Sequence, residues 1–196
     1  MANNLKTKES FFVFTAINGV LCDGKFALQK HGPFAKSIEN PILKSSSVDA
    51  LTLLLNTLEE KYDTKLIITS KRRNDLPACM RYLHDYGFNY DKPVFATKYE
   101  EGERGRKILN FMEDQGISPV KTRTLSNIVD SLFQTQTDKP FKNYVVIDSS
   151  LSRIKHFIPK SHIIKTNLKN ESLTQQQVEE FLSQIGLSTA NMQAGE

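Results

Sequence analysis

The sequence predicts an α/β protein with a mainly parallel, Rossmann-like sheet and helices on both faces, which makes three layers. Short apolar runs at 11–17, 66–69 and 144–147 are typical of strands that are buried on both sides. Amphipathic segments separate these runs, and parallel strands need such crossover helices between them. The chain has 196 residues, 39% of them hydrophobic and 24% charged. This size and composition fit a single domain, which we place at 1–186.

The first strand, 11–17, precedes a segment that we interpret as a lid-like loop. This segment, 22–47, has little periodicity and is long for a plain connection, although a surface excursion without a role explains it equally well. Ser46 and Asp49 then form a start signal for a helix. Its apolar positions recur at helical spacing and are Val48, Leu51, Leu54, Leu55, Leu58 and Tyr62.

The second strand, 66–69, leads into a second helix. Asn74 or Asp75 is expected to cap this helix, Pro77 fits its first turn, and Gly87 marks its end.

The middle of the chain carries a short strand at 94–96 and a helix over Arg104–Asp114. The segment 115–142 is rich in Thr and Ser with one apolar patch, so we predict an insertion that contains a short helix. The run 144–147 is a buried strand that ends at Asp148.

The C-terminal part adds a short strand at 163–164 and a final helix. Ser172 and Gln175 form a capping box for this helix, and Gly186 ends it. We expect residues 187–196, which are small and polar, to be a frayed tail.

Four polar or small residues follow the predicted strands and should surround one crevice. They are Ala16, Asn18, Thr69 and Asp148. The carboxyl ends of parallel strands meet at one edge of a sheet, and ligands of open α/β sheets bind there.

The turn after the first strand resembles the first motif of the haloacid dehalogenase-like (HAD) superfamily. Residues 16–21 read Ala-Ile-Asn-Gly-Val-Leu, and the family motif reads Asp-x-Asp-Gly-Val/Thr-Leu, with a nucleophile and a general acid/base as its two Asp residues. Ala16 and Asn18 stand at those two positions. A methyl group cannot attack phosphorus, and a carboxamide cannot shuttle a proton. The resemblance therefore implies a degenerate HAD domain without catalytic residues.

The second and third HAD motifs have counterparts in the expected order. Thr69, or Ser70 beside it, matches the hydroxyl that contacts the phosphoryl group, and Arg73 matches an Arg of the HAD domains in RNA-repair-associated proteins, the closest pattern. Lys107, with Arg106 as second choice, matches the basic residue that neutralises phosphate charge. On the residues alone, a turn hydroxyl and a solvated surface cation explain these positions without any ligand.

Asp148 resembles the acidic residue of the fourth motif, but Ser residues replace its acidic neighbours. Magnesium is usually held by one or two carboxylates plus substrate phosphate. With Ala16 in place, we expect no cofactor, and at most weak magnesium binding at Asp148 when a phosphorylated ligand is bound.

Other chemistries and locations find little support in the sequence. No H-E-x-x-H, P-loop or G-x-S-x-G motif occurs, and two cysteines cannot form a disulfide framework. We interpret Cys22 as a packed thiol. No apolar run reaches the roughly 20 residues that span a bilayer, and residues 1–10 are too polar for a signal peptide. We therefore expect a cytoplasmic protein without membrane insertion.

The net charge is +4 and the pI about 9.0, with basic residues at 71–73 and 104–107. A nucleic-acid binder usually carries a stronger basic stripe, so nucleic acid is an alternative partner that we do not favour.

Three functions follow from the resemblance. The first is a pseudophosphatase that acts as a protein-binding adaptor or scaffold subunit, with its partner at 115–142, in an assembly of the bacterial secretion or signalling kind. The second is a binding module for a phosphorylated ligand or a nucleic-acid end. The third is a phosphatase with residual activity through a displaced nucleophile such as Asp23, or one inactivated by an engineered Ala16.

Overall fold

The computed structural model describes residues 8–31, 42–98, 102–118, 142–169 and 171–187. The strands of this part of the chain are β1 Ser10–Thr15, β2 Asp63–Ile68, β3 Val94–Ala96, β4 Tyr144–Asp148 and β5 Ile163–Lys165. They form one parallel sheet in the order β3-β2-β1-β4-β5. The predicted α/β, Rossmann-like fold is confirmed.

Helices cover both faces of the sheet. They are α1 Gly24–His31, α2 Ser45–Lys61, α3 Leu76–His84, α4 Arg104–Asp114 and α5 Gln175–Gln184. Side chains alternate along each strand, so Val13 of β1 packs in the core with α2, α3 and α5, whereas Phe14 packs in the core with α4. Each fully buried side chain of this size contributes roughly 1.5–3 kcal/mol.

The segment 22–47 differs from the predicted loop, because its first part forms α1. The backbone N–H of Gly24 donates to the carbonyl of Leu168 over 2.6 Å, and that of Lys25 donates to Lys169 over 2.8 Å. These bonds tie the start of α1 to the chain after β5. Tertiary contacts therefore hold the start of α1, which directly follows Asp23, a residue type that favours helix N-caps.

The cap predicted for α2 is wrong, and the cap predicted for α3 is confirmed. The N-cap of α2 is Lys44, and its side chain makes no capping bond, so Ser46 and Asp49 do not form the predicted start signal. Asp75 caps α3 by accepting from the backbone N–H of Ala78 over 2.9 Å.

The capping box of α5 lies two residues beyond its predicted position. Thr174 accepts from the backbone N–H of Gln177, and the Gln177 side chain accepts from the N–H of Thr174. Ser172 and Gln175 do not form it, because Ser172 has a different, buried partner that is described below.

Several predictions fall on residues outside the described ranges. These are residues 32–41 of the predicted lid-like loop, the greater part of the insertion at 115–142 and the tail beyond Leu187. None of the helices in the described part of the chain combines the length and the apolar content that crossing a bilayer requires.

Candidate functional site

The carboxyl ends of the three central strands meet at one edge of the sheet. The backbone N–H of Ala16 donates to the carbonyl of Ile147 over 3.2 Å, and the N–H of Thr69 donates to Thr15 over 2.9 Å. Asp148 is the last residue of β4. The structure thus brings Ala16, Thr69 and Asp148 to the one edge where the sequence placed them.

The turn after β1 presents no reactive side chain to this edge. Ala16 is 1% exposed and belongs to the core. Asn18 is exposed, and its neighbour Gly19 closes the turn by donating to the carbonyl of Cys22 over 2.8 Å. The turn supplies a buried methyl group and a carboxamide, neither of which is a nucleophile or a proton donor of useful pKa.

Asp148 is fully buried, and both of its carboxylate oxygens are engaged. Oδ2 forms an ion pair with Nη1 of Arg104, the first residue of α4. Oδ1 accepts from the backbone N–H of Ser150 over 2.8 Å. The negative charge at the end of β4 is therefore neutralised within the chain, which buried carboxylates require.

Arg104 is a residue of the crevice that the sequence motifs do not predict. Its position at the head of a predicted helix was the available signal, since that helix follows β3 and begins near the carboxyl edge of the sheet. The motif comparison selected Lys107 and Arg106 instead.

The other basic residues of α4 have different surroundings. The guanidinium of Arg106 lies over the ring of Phe157, 5.3 Å from its centroid. Lys107 lines a shallow cleft together with Lys98, Asn110, Phe111 and Asp114. The described contacts of Asp148 therefore come from Arg104 and Ser150. Arg106 and Lys107, the residues predicted from the motif, have other contacts.

The end of β2 carries buried hydroxyl groups that lack partners. Among the described residues, Oγ1 of Thr69, Oγ of Ser70 and Oγ1 of Thr97 have no hydrogen bond. Thr97 follows β3 and donates its N–H to the carbonyl of Ile68 over 3.2 Å, so it lies beside Thr69. A buried polar group without a partner costs about 1–3 kcal/mol unless water or a ligand satisfies it.

Arg73 folds back onto the same strand end. Its Nη1 donates to the carbonyls of Thr69 over 3.0 Å and of Ser70 over 2.8 Å. The arginine thus fixes the turn after β2 and brings a positive charge beside the two hydroxyl-bearing residues.

Cys22 and Asp23 are buried, and their contacts indicate structural roles. Burial and the neighbouring Asp23 raise the pKa of the Cys22 thiol to about 11, which keeps it protonated at neutral pH. Asp23 is 3% exposed and accepts from the N–H and Oγ of Ser172 over 3.2 and 3.1 Å, while Ser47 donates to Ser172 over 2.9 Å. This network joins α1, α2 and the chain before α5. It also engages the carboxylate of Asp23, which was the candidate for a displaced nucleophile.

The residues at the crevice do not fit a magnesium ion of the kind that HAD enzymes use. Ala16 offers no oxygen from its side chain, and Asp148 already has a cation and an N–H on its two oxygens. The described ranges contain no group of three His, Cys, Asp or Glu residues that would hold a metal. Magnesium prefers several oxygen ligands in near-octahedral geometry.

Comparison of this chain with protein-family models, with curated proteins and with solved structures finds no match. The fold and the site define an α/β, Rossmann-like protein with a charge-neutralised crevice at the carboxyl edge of its sheet. The HAD resemblance remains an interpretation of its motifs.

Proposed function

We propose that this protein is a catalytically inactive HAD-like pseudoenzyme that works by binding, as an adaptor or scaffold subunit. The observation that carries the proposal is the state of the crevice, where Asp148 is paired with Arg104 and Ala16 is a buried methyl group. Phosphoryl transfer depends on positioned groups and on charge stabilisation. The groups present offer neither a nucleophile nor a free carboxylate, so the fold is retained for another use.

Assays of phosphatase activity and of magnesium binding test the proposal that the protein is catalytically inactive. We expect no phosphate release from p-nitrophenyl phosphate above the uncatalysed rate, and no rise in unfolding temperature when magnesium is added at millimolar concentration. The reason is that Ala16 and the Arg104–Asp148 pair leave no ligand set for the ion. Magnesium-dependent turnover by the unaltered chain would contradict the proposal.

A double variant, Ala16→Asp with Asn18→Asp, is the matched control for the HAD interpretation. On a HAD-like scaffold it should gain stabilisation by magnesium that the unaltered chain lacks. If the variant folds and magnesium has no effect on its stability, residues 16–21 do not lie where the metal-binding motif of a HAD enzyme lies, and the HAD interpretation fails.

The adaptor part of the proposal rests on the insertion predicted at 115–142, whose sequence contains one apolar cluster, and such clusters mark protein partner sites where they are exposed. We expect the full chain to capture a stoichiometric partner from its native extract and a variant without 115–142 to lose it. Circular dichroism must confirm that the deletion variant is folded. A folded deletion variant that retains the same partner would place the interface elsewhere.

A second candidate function is the binding of a phosphorylated ligand without cleavage. The unpaired hydroxyls of Thr69 and Ser70, beside the guanidinium of Arg73, favour it. Phosphate oxygens accept hydrogen bonds from hydroxyl and guanidinium groups, and ligand binding raises stability by mass action.

Inorganic phosphate is the simplest probe for this candidate. We expect it to raise the unfolding temperature of the unaltered chain and to have a smaller effect on Thr69→Val, which keeps the shape of the side chain and removes the hydroxyl. Thr57→Val is the control, because its hydroxyl is also buried without a described partner but lies within α2. Equal phosphate effects on all three proteins would exclude Thr69 from the site.

A further inference from the structure

One segment of this chain has more basic residues in succession, without an acidic one between them, than any other. Residues 149–169 contain five of the 26 Lys and Arg residues and none of the 22 Asp and Glu residues. The remainder of the chain has 21 basic and 22 acidic side chains and is therefore net −1. This stretch of 21 residues forms the β4–β5 crossover, β5 itself and the turn beyond it.

All five basic side chains of this segment are exposed. They are Arg153, Lys155, Lys160, Lys165 and Lys169. Ile154 and Ile158 turn inward to the core beneath α4, so the crossover is anchored by its apolar residues and presents its charged ones. We call this set of five side chains the basic edge, because β5 is a terminal strand of the sheet.

The neighbours of the basic edge carry charges of both signs. Arg106 of α4 is exposed and lies over Phe157 of the crossover. The acidic residue before the segment, Asp148, is buried and paired with Arg104. The next acidic residue along the chain is Glu171, which is exposed.

We propose that the basic edge binds the phosphate backbone of nucleic acid, without base specificity. This inference goes beyond the proposed function, since it concerns exposed side chains at the sheet edge and not the buried groups of the crevice. Phosphate backbones are bound mainly by Lys and Arg with help from polar side chains, and charge complementarity selects such a partner here.

The composition of the surface favours nucleic acid over an acidic protein. Protein interfaces are depleted in Lys and depend on aromatic or aliphatic anchors, whereas four of the five residues are Lys. The exposed large apolar side chains of the described residues are Leu168, within the segment, and Phe95, on the opposite edge strand β3. The segment exposes one aromatic ring, that of His156, which is a small platform for base stacking, so binding should depend on salt and hardly on sequence.

Fluorescence anisotropy of the full chain with a labelled RNA strand of about 20 nucleotides tests the proposal, at salt concentrations between about 50 and 200 mM. The test variant is Arg153→Glu with Lys160→Glu. The control is Lys61→Glu with Arg81→Glu, two exposed residues on α2 and α3 on the other side of the sheet. Each variant replaces two positive by two negative charges, so both have a net charge of 0 instead of +4.

We expect binding by the unaltered chain that weakens steeply with salt and changes little between RNA sequences. The test variant should bind at least about tenfold more weakly at low salt, with a salt slope smaller by about 1.4, because each lost contact to a single strand removes about 0.7. The control should stay close to the unaltered chain.

Three results would overturn the proposal. The first is no RNA binding by the unaltered chain at the lowest salt concentration, and the second is an equal loss in the test and control variants. The third is equally tight binding of a polyglutamate peptide of the same charge, which would assign the basic edge to an acidic protein.

Discussion

Replacement of Arg104 by methionine is expected to lower the free energy of unfolding by about 3–5 kcal/mol, the usual cost of breaking a buried ion pair. Asp148 is fully buried, and Arg104 is mostly so, with a side chain that is 21% exposed. Methionine retains the apolar stem and removes the guanidinium, so the Asp148 carboxylate keeps only the N–H of Ser150. Urea unfolding followed by circular dichroism measures the loss.

Arg106→Met is the matched control for this prediction, because it removes the same group from the same helix. Arg106 is exposed, and its contact with the Phe157 ring is worth about 0.5–1 kcal/mol. The double variant Arg104→Met with Asp148→Asn should recover part of the stability, since the amide has no charge and its oxygen still accepts from Ser150. If Arg104→Met is no less stable than Arg106→Met, the pair does not hold the crevice together.

The parallel sheet and the position of the crevice could be predicted because they depend on local signals. The runs at 11–17, 66–69 and 144–147 are mostly apolar, a pattern typical of strands covered on both sides. The placement of Thr69 and Asp148 at one edge then follows from parallel pairing alone. No knowledge of individual contacts was needed.

The partners within the crevice could not be predicted, because they depend on contacts between residues far apart in the chain. Arg104 and Asp148 are 44 positions apart, and their pairing requires α4 to begin above the end of β4. Ser172 has the residue type of a helix cap, but Asp23, 149 positions away, takes its hydroxyl. A local sequence pattern shows which hydrogen bonds a side chain could form, and the tertiary structure decides which of them it forms.

Gly19→Ala is expected to lower the free energy of unfolding by about 2–5 kcal/mol, from two separate causes. Gly19 has a φ of +82°, which costs about 1–2 kcal/mol for a residue with a side chain. A Cβ built there would overlap the Oγ of Ser149 and lie 2.8 Å from its Cβ and 3.0 Å from Cδ1 of Leu168. Overpacking of this kind costs about 1–3 kcal/mol more.

Gly87→Ala separates the two causes, because Gly87 has a φ of +84° and no atom within 4 Å of the built Cβ. It should lose only the backbone part, about 1–2 kcal/mol. Adding Ser149→Gly to Gly19→Ala should recover some of the packing part. Equal losses at Gly19 and Gly87 would mean that the turn after β1 can move away from Ser149.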